Sequence, residues 1–393
     1  MTGVQTCALP ISTLNFMAKS SLILAALAKD AVPHIDFHQV RRISNGAAGH
    51  FDSALLTAND NSYFVVRVAN SAQAGADQAL ELRALKALTA DVREQLPFGV
   101  TRLVGETKDE FGTSVYVYEY VYGNETQIET VQADSSLSTS IGKAIAAIHN
   151  LPLELVQDAH LPEYDVAQVA AKKVAELDRI LESGKVPAVL LSRWESAFED
   201  ISLFRFKPTV IHSRLSSETV LQADGEVTGI LDWTNLHIGD PAEDFAWILG
   251  TGLYELSDSI LDVYRQNHRH QDEGLRHRAT LYNELDIAKW LLHAIATGDE
   301  DAIADATSTL ELLANDVETG AIGRLAISQP VIEPVEAFET FSAEEFTKAA
   351  DEDDLEIIDL TVESVEEVEV EVEYNDNKTR PIELPAKTDN ELF

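Results

Sequence analysis

The hydrophobic period of this chain changes at Gly123, and a purely helical or purely β fold cannot accommodate both sides of that change. Ahead of it, "TSVYVYEYVYG" (113–123) alternates Val115, Val117, Glu119 and Val121 with Tyr116, Tyr118, Tyr120 and Tyr122, the period of two expected of a strand with two different faces. Further strands are expected over "FHQVRRIS" (37–44), "FDSALLTA" (51–58), "SYFVVRVA" (62–69) and "VTRLVGETKD" (100–109), with an amphipathic helix over 74–90. A short helix capped by Ser20 or Ser21 precedes them and stops before Pro33. Beyond Gly123 the pattern predicts helices over 138–150, 165–183, 188–204, 241–250, 256–267, 279–297 and 300–315. Asp165 is an N-cap and Gly184 a stop for the second of these. Only "TVIHSRL" and "TVLQADGEVTGILDW", with an Asp224-Gly225 turn, interrupt the helices as a hairpin. The fold class expected is therefore α+β, a β-rich front part followed by a helical part.

Composition narrows the function. The formal net charge of −38 opposes partners that reward Lys and Arg, so neither nucleic acid nor an anionic membrane surface is expected. Residues 331–393 hold 21 Asp and Glu against 4 Lys and Arg, a net of −17 that leaves −21 on the rest. That segment reads as a solvated disordered tail, or as a docking segment whose "EVEVEVEY" could add to a partner's sheet edge. The single cysteine, Cys7, rules out an intrachain disulfide and fits a reducing cytoplasm. Residues 1–16 lack the basic start of a secretory signal, and "GVQTCALPIS" resembles translated sequencing-adapter sequence, so Met17 is the expected natural start. The expected organisation is a leader over 1–16, an N-terminal lobe over 17–122, a helical lobe over 123–325 and an acidic tail over 326–393. "RQNHRHQDEGLRHR" (265–278) is expected to be a solvated connection, since its histidine spacing fits no standard zinc site.

Chemistry concentrates in a few places. The hairpin loop "NGAAGH" supplies Gly46 and Gly49, whose backbone could approach a phosphate, although any tight hairpin also uses glycine. Arg67 sits among apolar neighbours in a strand, either as a cation for phosphate or as a strand-end surface charge. Glu81, 14 residues later, could hold it or could be one more exposed helical acid. The most specific stretch is "GILDWTNLHIGDPAEDFAWIL" (229–249). There an apolar run delivers Asp232 at a strand end, as a metal–phosphate site requires, while Asp240, N-cap before Pro241, and Asp244 read as structural.

Taken in order, the glycine hairpin, Arg67, Glu81, the crossover at 118–123, "IHN" (148–150), "IHSRL" (211–215) and "LDWTNLHIGDPAEDFAWIL" resemble the aminoglycoside and macrolide phosphotransferase family, most closely its macrolide branch. The resemblance covers about residues 20–315 and implies a bilobal protein-kinase-like fold. It implies ATP or GTP between the lobes at the crossover, with Gly46, Gly49, Glu119 and Tyr120 against the nucleotide. It further implies Arg67 on the phosphates with Glu81 as its partner, Asp232 on Mg2+, and a small-molecule hydroxyl as acceptor. The family's catalytic loop reads His-Gly-Asp, four residues, then Asn. Here His212 is kept, Ser213 stands for the glycine, Arg214 for the catalytic aspartate and Thr219 for the metal-binding asparagine. Losing a positioned base costs roughly 10²- to 10⁴-fold, and a guanidinium cannot accept a proton at ordinary pH. Two functions follow: a phosphotransferase with an altered site, or a catalytically impaired binding scaffold.

Overall fold

The computed structural model describes residues 19–43 and 50–325. Helix α1 (Ser21–Ala31) starts where expected, with the Ser20 hydroxyl accepting the Ile23 amide. Strands β1 (Phe37–Arg42), β2 (Phe51–Ala58) and β3 (Tyr63–Ala69) lead into α2 (Ala72–Ala87) and the single turn α3 (Ala90–Arg93). After β4 (Gly99–Val100) come β5 (Leu103–Lys108) and β6 (Ser114–Glu119). β1, β2, β3, β6 and β5 form one antiparallel sheet in that order. The inward set of its period-two pattern, Ala54, Leu56, Val66, Val68, Val115 and Val117, packs on Leu24, Ala28 and Val32 of the α1 region.

β6 ends at Glu119, earlier than the alternation implied. Tyr120 still donates its amide to Tyr63 O, and the rings of Tyr63, Tyr120 and Tyr122 cluster at 5.1 to 6.1 Å, so the apparent period of two past Glu119 belongs to an aromatic patch. The chain then departs through Gly123 at φ +147°, where a Cβ would lie 2.4 Å from Thr228 Oγ1 and 2.8 Å from Leu221 Cβ. Only glycine permits both that dihedral and that approach.

The helical part comprises β7 (Asn124–Glu125), α4 (Ser136–His149), α5 (Glu154–Asp158), α6 (Val166–Ser183) and α7 (Ala188–Glu199). Strands β8 (Thr209–Ile211), β9 (Val220–Ala223), β10 (Glu226–Ile230) and β11 (His237–Gly239) follow, then α8 (Ala246–Leu249), α9 (Tyr254–Asn267), α10 (Leu275–Thr297) and α11 (Glu300–Glu318). α6 has the anticipated punctuation: a capping box of Asp165 and Gln168, and Gly184 in the left-handed region at its end.

The hairpin expected around Asp224-Gly225 forms as β9–β10, whereas β8 pairs with β11, which local pattern does not announce. β10 also runs parallel to β4, which joins the hairpin to the front part. The helix expected over 241–250 is a 3-10 turn, Pro241–Phe245, capped by Asp240 and followed by α8.

The larger core takes Leu82, Leu85, Leu88, Leu96 and Phe98 from the front part together with the helical part. α2 thus carries side chains of the front part into the same apolar body as Trp233, whose ring stacks on Phe98 at 6.4 Å. Trp233 is wholly buried, and truncating such a residue costs about 3–5 kcal/mol.

The 265–278 connection is not merely solvated. Arg278 is fully buried, its Nε and Nη2 donating to Asp240 at 2.7 and 2.9 Å, with further bonds to Asp272 and to Leu203 O. Charge in sequence could not show this, because Asp240 lies 38 residues earlier. No helix among the described residues is long and apolar enough to cross a membrane.

Candidate active site

β3 places Arg67 opposite Ser53 and Tyr116, with its guanidinium over the Phe51 ring at 4.9 Å. Its Nη1 meets Glu81 Oε2 from α2 at 3.1 Å. Of the two readings open in sequence, the structure thus selects the pair. Glu81 is buried, and burial pushes its carboxyl up; Arg67 opposes that, and the nearby Asp232 charge adds to it. The α2 ion pair and Asp232 therefore share one electrostatic neighbourhood.

The loop after β8 is held from below. Asp244, wholly buried in the 3-10 turn, accepts the amide of His212 at Oδ2 (2.9 Å) and that of Ser213 at Oδ1 (2.5 Å). His149 Nε2 at the end of α4 donates to Oδ2 at 3.0 Å, and Tyr264 of α9 donates its hydroxyl to His149 Nδ1 at 2.9 Å. Burial works to raise the Asp244 carboxyl, but His149 foremost and then His212 hold it below the usual carboxylate range.

This grip sets Ser213 at φ +58°, a left-handed conformation that costs a side-chain-bearing residue roughly 1–2 kcal/mol. The position that the family pattern gives to glycine is thus one where glycine is the unstrained choice.

His212, expected in a catalytic role, is fully buried. Its Nε2 donates to Leu231 O at 2.9 Å, its Nδ1 faces the Arg214 amide at 3.3 Å, and Trp233 packs edge-on at 4.8 Å. Both ring nitrogens serve the loop, and burial keeps the imidazole neutral. No part of its side chain reaches the surface. Thr219, expected as a weak metal ligand, is also committed to the loop: its hydroxyl donates to Arg214 O at 3.0 Å and accepts the Ser216 amide at 2.8 Å. Glu218 is exposed.

Asp232 follows β10 in the left-handed region at φ +59°. Arg214 lies across it, Nε 2.9 Å from Oδ2, while the Thr234 hydroxyl donates to Oδ1 at 2.7 Å. Burial would raise the Asp232 carboxyl; Arg214 first, then Thr234, His212 and Arg67, outweigh it and hold the group below the ordinary range.

These contacts decide how well the site suits Mg2+. Both Asp232 oxygens are engaged by the chain, one of them by the Arg214 guanidinium, and the Thr219 hydroxyl closes its own loop. No group of three or more His, Cys, Asp or Glu that could hold a metal occurs among the described residues. As arranged, this donor set does not fit a divalent cation, which needs unobstructed oxygens.

The remaining expectations separate. Glu119 is taken up by Arg102, and Tyr120 packs in the aromatic cluster at the crossover. Gly46 and Gly49 lie outside the described residues, as do the leader and the acidic tail. The clasp of Asp244 and His149 on the catalytic loop went unread in sequence beyond a structural role for Asp244. The "IHN" and "GDPAEDFA" stretches were its only trace.

Residues 39–282 match the model of the phosphotransferase enzyme family, and the chain belongs to that family. Viomycin phosphotransferase of Streptomyces vinaceus is 33% identical over 103 residues, which cover 25% of this chain and 34% of that protein. The sequence match therefore spans about a third of that relative's length.

Among solved structures, macrolide 2'-phosphotransferase from Brachybacterium faecium superposes with a TM-score of 0.62 at 21% identity, covering 74% of this chain and 98% of that one. The GDP complex of aminoglycoside 2'-phosphotransferase-IIIa gives 0.61 at 19%, covering 77% and 100%. The fold is the kinase-like phosphotransferase fold, α+β with a sheet-rich N-terminal region and a helical C-terminal region.

Proposed function

We propose that the protein binds ATP or GTP between its sheet-rich and helical regions and, as an enzyme, transfers the terminal phosphoryl group to a hydroxyl of a small molecule. The observation that carries this is the Arg67–Glu81 pair held beside Asp232 in a member of the phosphotransferase family. Arg67, fixed by Glu81, neutralises phosphate charge. Asp244 and His149 fix the loop beneath the acceptor. In the transfer the acceptor oxygen bonds to the terminal phosphorus, the bridging P–O bond breaks, and the nucleoside diphosphate leaves. Arg214 cannot take the hydroxyl proton, which passes to solvent, so turnover relies on positioning and charge and is slow. The named activities of the relatives suggest macrolides, aminoglycosides and viomycin as acceptors to try.

A second reading is favoured by one contact, Arg214 on Asp232: a nucleotide-binding scaffold with impaired transfer. In that reading the acidic segment 326–393 recruits a protein partner, while the net charge of −38 opposes nucleic acid and anionic membrane surfaces. A cytoplasmic setting suits the single cysteine.

Thermal shift of the full chain with ATP and with GTP, beside Arg67→Ala, tests the common part. A wild-type shift lost in the variant is expected, and no shift with either nucleotide sinks both readings. Transfer of labelled terminal phosphate to the acceptor panel then separates enzyme from scaffold.

A further inference from the structure

Building on the nucleotide reading above, we infer that Arg214 takes the place of a divalent cation, so that the cleft holds a nucleoside triphosphate through two guanidiniums, those of Arg67 and Arg214, without magnesium. The first observation is the occupancy of Asp232: Arg214 Nε stands 2.9 Å from Oδ2 and the Thr234 hydroxyl 2.7 Å from Oδ1. An arriving cation would have to displace the first of these and then sit beside the charge it displaced.

The second observation is that Arg214 is placed by the fold. Its amide faces His212 Nδ1 at 3.3 Å, its carbonyl accepts the Thr219 hydroxyl at 3.0 Å, and the two preceding amides are clasped by the buried Asp244. These bonds fix the backbone from which the side chain springs, so the guanidinium always starts within reach of Asp232.

The third is accessibility with charge balance. Arg214 and Asp232 keep 24% and 33% of their side-chain surface, so the pair borders solvent and can meet a ligand. Glu81, Arg67, Asp232 and Arg214 alternate in sign, and polyphosphate binding adds negative charge where two guanidiniums already stand. A guanidinium offers five donors in a planar fork, more than one carboxylate oxygen takes up, and pairs well with phosphate oxygens. Thr219, at the position of the family's metal-binding asparagine, spends its hydroxyl within the loop.

Calorimetric titration of the full chain with ATP and with GTP, once in EDTA and once in excess magnesium chloride, tests this. The expected result is a dissociation constant that agrees within about threefold between the two buffers. Arg214→Asp, which returns a carboxylate to the loop, is expected to bind at least about tenfold more weakly in EDTA than in magnesium. Arg214→Ala is expected to lose affinity in EDTA as well, with circular dichroism reporting that each variant is folded. Wild-type binding that requires magnesium overturns the inference and leaves the nucleotide reading standing. No binding in either buffer overturns both. Variants that bind as tightly as wild type in EDTA overturn the assignment to Arg214.

Discussion

Asp244 holds Ser213 by a 2.5 Å hydrogen bond to its backbone amide, and Ser213 pays for that hold with a left-handed backbone at φ +58°. The strained residue stands directly before Arg214, so the contact that shapes the loop also sets the backbone from which Arg214 reaches Asp232.

Ser213→Gly removes the Cβ that makes this conformation costly. Relief of about 1–2 kcal/mol is offset by about 0.5–1 kcal/mol of added chain entropy in the unfolded state. The variant is expected to be unchanged or up to about 1.5 kcal/mol more stable by urea unfolding. Ser213→Val, β-branched at positive φ, is expected to be clearly less stable than wild type. A destabilised glycine variant would contradict the strain argument.

Asp244→Asn keeps the shape of the clasp while removing its charge. The carboxylate accepts from His212, Ser213 and His149 with no solvent contact, so a loss of about 2–4 kcal/mol is expected in equilibrium unfolding. Nucleotide affinity should fall with it, since the loop is no longer held.

Arg278→Met leaves Asp240 and Asp272 without their cation in the buried interior, at a cost of about 3–5 kcal/mol. Adding Asp240→Asn should recover part of the loss, and a double mutant no better than the single would show that Arg278 matters for its packing over Phe206 rather than its charge.

Glu81→Gln separates stability from binding. Burial already disfavours the Glu81 charge, so the unfolding midpoint should change little, whereas Arg67 loses the partner that orients it. Nucleotide affinity measured by titration should drop about tenfold, the equivalent of one charge-assisted hydrogen bond.

Stability should decline in two acid steps. Burial, then His149, lowers His268 from 6.5 to about 4, so between these values the unfolded chain binds more protons than the native one. The contribution of His268 is therefore complete above about pH 6.5 and is lost as pH falls toward about 4. Asp232 and Asp244 are held below their ordinary 3.8, so their contribution is present above that value and is lost at still lower pH. Urea midpoints across pH 3–8 check this; His268→Gln should shrink the upper step without abolishing it, because burial likewise lowers His212 and His277. A wild-type profile flat between pH 6.5 and 4 would contradict it.

What could be read from residues alone was whatever neighbours in the chain decide. Asp165 and Gly184 bound α6 because cap chemistry is local, and the Asp224-Gly225 turn takes positive φ at both positions because few other residues do so cheaply. The alternation over Ser114 to Val117 in β6 and the spacing of Arg67 from Glu81 likewise survive into the structure. Together with the "LDWTNLHIGDPAEDF" stretch they were enough for the fold class and the family.

The tertiary structure decided the rest, because it concerns partners far apart in sequence. The parallel pairing of β10 with β4, the burial of Arg278 against Asp240 and the clasp of Asp244 on residues 212 and 213 leave no local period or cap to read. Arg214 was visible as a departure from the catalytic pattern, but its sequence position could not say where a long, flexible side chain would lie. Only the folded loop shows it across Asp232, where a cation's position is already filled by the chain.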